Sequence, residues 1–336
     1  MKAVGYLQSL PFDAPQALFD FELPTPVASG RDLLVRVEAI SVNPVDTKVR
    51  KRAQPEGDEP KILGWDAAGV VEAVGDGVTL FKVGDEVWYA GELMRQGCNS
   101  EFHLVDERLV GRKPKSLSFV EAAALPLTSV TAWEMLFDRL EISEYHLGAI
   151  LVVGAGGGVG SILIQLLKKL TGLTVVATAS RAETVDWVKS LGADHVIDHS
   201  KPMVEQLERI GEPINYIASL MNTGDYLDQY AALIAPQGKI VVIDDPAAID
   251  IMPFKRKSVS WHWELMFTRS LFRTEDMIKQ HEMLDRVADM VDRGEIKTTV
   301  AENFGTINAA NLLKAHALLE SGKSRGKIVL SGFQAV

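Results

Sequence analysis

Residues 33–43 (LLVRVEAISVN), 67–78 (AAGVVEAVGDGV) and 81–91 (FKVGDEVWYAG) are short β-branched runs interrupted by Gly-containing turns. Strands so closely spaced predict a compact antiparallel barrel or sandwich over about the first 120 residues. From residue 149 the pattern changes. Apolar runs (AILVVGA, LTVVATAS, ADHVID, INYIASL, KIVVID) alternate with stretches of helical spacing (SILIQLLKKLTG, AETVDWVKSLG, YLDQYAALIAPQG). This βαβα alternation predicts a doubly wound parallel sheet covered by helices on both faces, so the fold class is α/β. Two longer helical patterns, 274–293 and 308–322, precede a last apolar strand at 326–332. They read as the chain returning to its first domain, which gives the division 1–124, 125–260 and 261–336. No repeat period or low-complexity tract is present.

A chain of 336 residues exceeds the ~100–200 residues of one ordinary core, which supports two compact units. With 47% hydrophobic and 24% charged residues the composition is that of a globular protein. No uninterrupted apolar run reaches the ~18–20 residues of a membrane span. The sequence starts MKAVGYLQ without a signal peptide's apolar core, so a cytoplasmic location is expected. Thirty-five Lys and Arg against 45 Asp and Glu leave a net charge of −10, which excludes a general nucleic-acid backbone binder. The single cysteine, Cys98, excludes an intrachain disulfide and a structural zinc site built from several thiolates of one chain.

Candidate chemistry begins in LVVGAGGGVGSILIQLL, where an apolar strand runs into a helix through Gly154, Gly156, Gly157, Gly158 and Gly160. Without a Cβ at Gly157 a pyrophosphate can approach the backbone, and Gly160 allows helix and strand to pack closely. The helix N-terminus then offers N–H groups and positive dipole to the phosphates. The motif departs from G-x-G-x-x-G, because Ala155 stands at the first glycine. Past the next strand, where an NAD site places Asp or Glu on the ribose 2′-OH, the chain has Ser180 and Arg181. A hydroxyl and a guanidinium suit a 2′-phosphate, so NADPH is expected over NADH. The alternative for Arg181 is a solvated residue at a helix start.

With these features the sequence resembles the medium-chain dehydrogenase/reductase superfamily, and within it the zinc-free quinone oxidoreductases, including proteins labelled zinc-type alcohol dehydrogenase-like. The likeness spans nearly the whole chain. It is carried by SVNPVDTKVR, GWDAAGVVEAVGDGV, FKVGDEV, AALPLTSVTAWEML, the glycine loop, LGADHVID and RGKIVL. The resemblance implies a GroES-like catalytic domain made from both chain ends, an inserted Rossmann domain, and NAD(P)H-dependent hydride transfer. A homodimer or homotetramer is the family's habit. By motif, Thr131 would lie at the nicotinamide, Gly157, Gly158 and Val159 at the pyrophosphate, and Ser180 and Arg181 at the 2′-phosphate. Ile243, ending the fifth strand of that domain, would pass behind the nicotinamide ribose. His199 stands where quinone reductases carry a tyrosine beside the adenosine phosphate; its alternative is an exposed loop histidine.

The zinc alcohol dehydrogenases of the same superfamily hold the metal at positions that here read Asn43, Trp65 of Gly64-Trp65-Asp66, and the neighbourhood of Leu127. Indole and an aliphatic chain do not ligate zinc, and a neutral amide ligates it poorly. The expectation is therefore no metal. Without a Lewis acid an unactivated alcohol is hard to oxidise, whereas a quinone or α,β-unsaturated carbonyl already accepts hydride. The expected enzyme is an NADPH-dependent reductase of such small molecules. Asn43 is the candidate donor to the acceptor carbonyl or the nicotinamide ribose, and Asp46 the candidate orienting group. The alternatives are a turn at Asn43-Pro44 and a helix cap at Asp46. Tyr89 and Trp65 are either acceptor-stacking aromatics or core. The aromatic segment 258–272 either covers the substrate or meets another subunit. A non-catalytic NADPH sensor and a zinc enzyme with other ligands are the competing functions.

Overall fold

The structure, a computed structural model, describes residues 1–55 and 57–333. They form two compact units: Met1–Val130 together with the described residues from Phe267 onward, and Thr131–Met266. The sequence suggested cuts at 124/125 and 260/261.

The first unit opens with β1 (Lys2–Tyr6), β2 (Phe19–Glu22) and the eleven-residue β3 (Asp32–Val42). Strand β3 ends where Asn43, still extended, is followed by a proline at the start of helix α1 (Pro44–Arg52). Proline suits a helical first turn because its missing N–H would have no intrahelical acceptor. Arg50, Lys51 and Arg52 occupy the last turn of α1, where the helix dipole favours cations. Short strands follow: β4 (Lys61–Ile62), β5 (Ala67–Val74), β6 (Glu86–Tyr89), β7 (Phe102–Asp106) and β8 (Val110–Arg112). Strand β3 pairs antiparallel with both β5 and β7, and two register shifts against β5 bend it between neighbours. Helix α2 (Phe119–Ala122) begins in a capping box of Ser118 and Glu121. Helix α3 (Pro126–Trp133) then carries the chain into the second unit.

There, a π-helical turn, Glu134–Arg139, extends α3. Next come β9 (Ala149–Val153), α4 (Gly158–Leu170), β10 (Thr174–Thr178), α5 (Ala182–Ser190), β11 (His195–Ile197) and α6 (Met203–Ile210). Then follow β12 (Ile214–Ser219), α7 (Leu227–Leu233), β13 (Ile234–Val242) and β14 (Ser260–Trp263). The order across the sheet is β11-β10-β9-β12-β13-β14, all parallel, which is the doubly wound Rossmann arrangement. All five residues of β9 are buried, as expected of a central parallel strand covered on both faces.

The chain returns to the first unit through α8 (Thr268–Phe272), α9 (Lys279–Asp292), β15 (Val300–Asn303), α10 (Ala309–Glu320) and β16 (Lys327–Ser331). Strand β16 pairs antiparallel with β3, Ile328 opposite Val42, and completes the sheet β15-β16-β3-β5-β6-β8 to which β7 is added. Among the described residues no helix is long and apolar enough to cross a membrane.

Candidate active site and cofactor-binding edge

In the first unit, the end of β3, the start of α1, the Gly64-Trp65-Asp66 turn and β16 converge on a buried polar cluster. The Asp66 carboxylate accepts from Ser41 Oγ at 2.7 Å, Asn43 Nδ2 at 2.9 Å and Lys327 Nζ at 2.9 Å on one oxygen, and from the Leu127 N–H at 2.9 Å on the other. The Lys327 ammonium also donates to the Val42 carbonyl at 3.2 Å and to the Asn43 side-chain oxygen. Ser41, Asn43, Asp66 and Lys327 are all at most 3% exposed, so charge and countercharge depend on one another rather than on water. Asp46 accepts from the Asn43 N–H at 2.7 Å, one half of a capping arrangement. Burial, opposed by that hydrogen bond and by Lys327, pushes the Asp46 carboxyl up to about 7. The structure thus brings Asn43 and Asp46 together, and gives Asp46 the capping geometry that was its alternative.

Lys327 and Ser41 escaped the sequence analysis. The available signal was a lysine at the start of an otherwise apolar strand, RGKIVL, but nothing local shows that its ammonium turns inward.

The same cluster fits zinc poorly. The Asn43 oxygen already accepts from an ammonium, and one of its amide hydrogens goes to Asp66. Trp65 is 1% exposed, packs edge-on against Phe267 and donates its indole N–H to the Glu92 carbonyl at 3.1 Å. Leu127 contributes its backbone N–H, not a ligand. Cys98 is buried with its thiol directed at the Asp66 carbonyl, and burial pushes its ionisation far up, so it is no ready thiolate. Among the described residues no group of three or more His, Cys, Asp or Glu is placed to hold a metal ion. Tyr89 is also core: its hydroxyl meets His103 Nδ1 at 3.0 Å and the rings stack.

In the second unit the parallel order puts the turns after β9, β10, β11 and β13 on one edge of the sheet, where ligands of such sheets bind. After β9 comes the glycine loop, with Gly157 as N-cap and Gly158 and Val159 in the first turn of α4. Gly157 offers no capping side chain, so first-turn N–H groups are available to an anion. A Cβ at Gly157 would touch only the Gly154 carbonyl, at 3.5 Å, leaving the approach to its backbone open. A Cβ at Gly160 would overlap the Ala155 backbone, so this glycine is required by helix–strand packing. Thr178 Oγ accepts from the Gly154 N–H at 3.1 Å and fixes the loop's entry to the next strand.

After β10, Ser180 is exposed and Arg181 is the N-cap of α5. The Arg181 guanidinium pairs with Glu183 at 3.4 Å, with both side chains at least 40% exposed. Such a pair contributes little and yields readily to a stronger anion. His199 follows β11, half-buried, and its Nδ1 is buried without a hydrogen-bond partner among the described residues. Ile243 directly follows β13 and donates its N–H to the Ser219 carbonyl at 3.3 Å. Thr131 is buried on α3, apart in sequence from this edge. A network not visible in sequence braces the edge: Asp244 accepts from the Thr223 N–H at 2.9 Å, and Ser219 Oγ meets Thr223 Oγ at 2.7 Å and the Tyr230 hydroxyl at 2.8 Å. Open glycine backbone, free helical N–H groups and a releasable arginine fit a phosphorylated dinucleotide.

Residues 29–126 match the alcohol dehydrogenase GroES-like domain, and residues 191–330 match the zinc-binding dehydrogenase family. A zinc-type alcohol dehydrogenase-like protein of Staphylococcus aureus strain COL is 40% identical over 98% of this chain and 100% of its own length. A 2-methylene-furan-3-one reductase of Solanum lycopersicum is 32% identical over 89% of this chain and 71% of its own. Among solved structures, a Rhizobium etli CFN 42 protein carrying the name of a zinc-dependent alcohol dehydrogenase superposes with a TM-score of 0.97 at 55% identity, over 100% of this chain and 99% of that one. A Pseudomonas syringae quinone oxidoreductase gives 0.83 at 27% identity over 98% and 99%, and a mycobacterial protein in complex with NADPH gives 0.84 at 26% over 99% and 100%. The chain belongs to the medium-chain dehydrogenase/reductase superfamily, with a GroES-like domain and a Rossmann domain. It is an oxidoreductase of the NAD(P)H-dependent kind.

Proposed function

We propose that this oxidoreductase uses NADPH to reduce a quinone or an α,β-unsaturated carbonyl without zinc. The observation that carries the reading is the Lys327 ammonium on the Asn43 oxygen: where a zinc enzyme holds a divalent cation, this chain holds its own monovalent one. The names of an enone reductase and a quinone oxidoreductase among the similar proteins support the acceptor class, and an NADPH complex among them supports the cofactor.

In this reading the N–H groups at Gly158 and Val159 hold the pyrophosphate, with Gly157 leaving room for it. Ser180 and Arg181 hold the 2′-phosphate, and His199 Nδ1 supplies a further polar contact on the adenosine side. Thr131 and Ile243 flank the nicotinamide. When bound, NADPH supplies the hydride at C4 of its nicotinamide. Asn43 retains an amide hydrogen for an acceptor carbonyl or ribose hydroxyl. Asp46 fixes the Asn43 backbone and, raised to about 7, holds a proton near neutrality without being fully exposed to water. Orientation by these groups, rather than a Lewis acid, supplies the rate enhancement.

The cofactor half is tested by the ratio of kcat/KM for NADPH over NADH in wild type and Arg181→Asp. The variant should lose at least about tenfold of that ratio, since a charge-assisted bond becomes a repulsion. An unchanged ratio would remove Arg181 from the 2′-phosphate site.

A further inference from the structure

A second buried polar cluster lies in the Rossmann unit and has no part in the site just described. Glu134, in the π-helical turn that extends α3, is 1% exposed; Glu264, immediately after β14, has a side chain with no exposure. The two carboxyl groups lie side by side on one guanidinium. Arg139 is the cation beside them, with Nε 2.8 Å from Glu264 Oε2 and Nη2 3.6 Å from Glu134 Oε2. One guanidinium cannot neutralise two buried carboxylates, and carboxyl oxygens in contact must have a proton between them or repel. Glu264 Oε1 is buried without a donor among the described residues, as expected if its partner there is the other carboxyl. Burial and then the neighbouring Glu134 push Glu264 well above the usual carboxyl range.

The location gives this proton a task. Glu134 lies three residues past Thr131 on the same helical run, and the Glu264 N–H donates to the Val242 carbonyl at 2.9 Å, one residue before Ile243. The carboxyl pair therefore joins the two chain segments assigned above to the nicotinamide.

We propose that Glu134 and Glu264 are positioning residues that share one proton and thereby clamp the Thr131 helix to the C-terminal ends of β13 and β14, setting the nicotinamide end of the cofactor site. The inference rests on the NADPH reading. With the proton in place the pair carries one negative charge, matched by Arg139. When it is lost to solvent, two carboxylates face each other and the clamp opens. The other ionisable groups on the packed elements do not supply the proton. Burial, and then Lys239, holds His262 below its ordinary value, so it is neutral where it would have to donate; Lys239 is engaged with Glu141 at 2.6 Å.

The test combines infrared detection of protonated carboxyl groups with NADPH affinity from neutral to alkaline pH, in wild type, Glu264→Ala and Glu264→Gln. Wild type should show a protonated-carboxyl band at neutral pH that disappears on alkaline titration, together with an affinity loss of about tenfold. Glu264→Ala should keep only the Asp46 part of the band, which titrates at about 7, and bind weakly already at neutral pH. Glu264→Gln, whose amide donates to Glu134 as the shared proton does, should rescue binding and abolish the alkaline loss. Neutral-pH binding with no protonated-carboxyl band beyond that of Asp46, or an alkaline loss that persists in Glu264→Gln, overturns the clamp alone. Wild type that binds no NADPH at neutral pH overturns the cofactor reading and the clamp together.

Discussion

Replacing Lys327 by methionine removes the ammonium from the Asp66 cluster while keeping most of the volume. Asp66 would retain Ser41, Asn43 and the Leu127 N–H, but its charge would lose the one cation that pairs with it among the described residues, and the Val42 carbonyl and Asn43 oxygen would each lose a donor. Removing one partner of a buried ion pair costs about 3–5 kcal/mol, because the remaining charge stays desolvated. Three surviving donors on Asp66 argue for the lower half of that range. In a unit of this size about 1 kcal/mol moves the melting temperature by roughly 2–4 °C, so a fall of about 6–16 °C is expected. The assay is thermal unfolding of Lys327→Met followed by near-ultraviolet circular dichroism, with Asp66→Asn and the double variant alongside. The double variant, which leaves no unpaired charge, should melt above Lys327→Met. A single variant within about 2 °C of wild type, or a double variant whose loss is the sum of the two singles, would refute the coupling.

Three further outcomes follow from the same geometry. Gly157→Ala should fold normally, because its Cβ meets only one atom at contact distance, yet bind NADPH at least about tenfold more weakly by isothermal titration, since the added methyl stands in the phosphate approach. Gly160→Ala should instead lower stability by about 1–3 kcal/mol in urea unfolding, because its Cβ would overlap the Ala155 backbone. For Asp46, the folded value near 7 lies above the unfolded carboxyl value. The native state keeps a proton that the unfolded chain releases, so this residue's contribution is complete below the unfolded value and is lost as pH rises through about 7. Urea midpoints of Asp46→Asn relative to wild type should therefore improve progressively from acid to neutral pH; a difference independent of pH would remove the buried-proton interpretation.

What the sequence disclosed and concealed follows from how far apart the contributing residues are. The glycine loop was legible because strand, turn and helix start are contiguous in LVVGAGGGVGSILIQ, and Ser180 and Arg181 because they end the next strand. The buried strands β9, β10 and β12 announced themselves as apolar runs with no alternation. Strand β14 did not: it is a sheet edge, Trp263 is 57% exposed, and its aromatic residues looked equally like a lid or a subunit contact. The π turn at Glu134–Arg139 was hidden because six residues are too few for its wider i→i+5 spacing to stand out from an α-helical pattern. Lys327 with Asp66, and Glu134 with Glu264, are pairs made by long-range folding. A buried charge carries no local signature until its partner is known.

The central claim is catalysis without a metal, and it is tested most directly by turnover of chelator-treated, zinc-depleted protein followed through NADPH absorbance. Parallel reactions would supply an ortho-quinone, a simple enone and, in the reverse direction, a primary alcohol with NADP. The account predicts NADPH consumption with the quinone or the enone, unchanged when zinc is restored, and none with the alcohol. Reduction that appears only on adding zinc, or NADPH binding with no turnover of any acceptor, would contradict it.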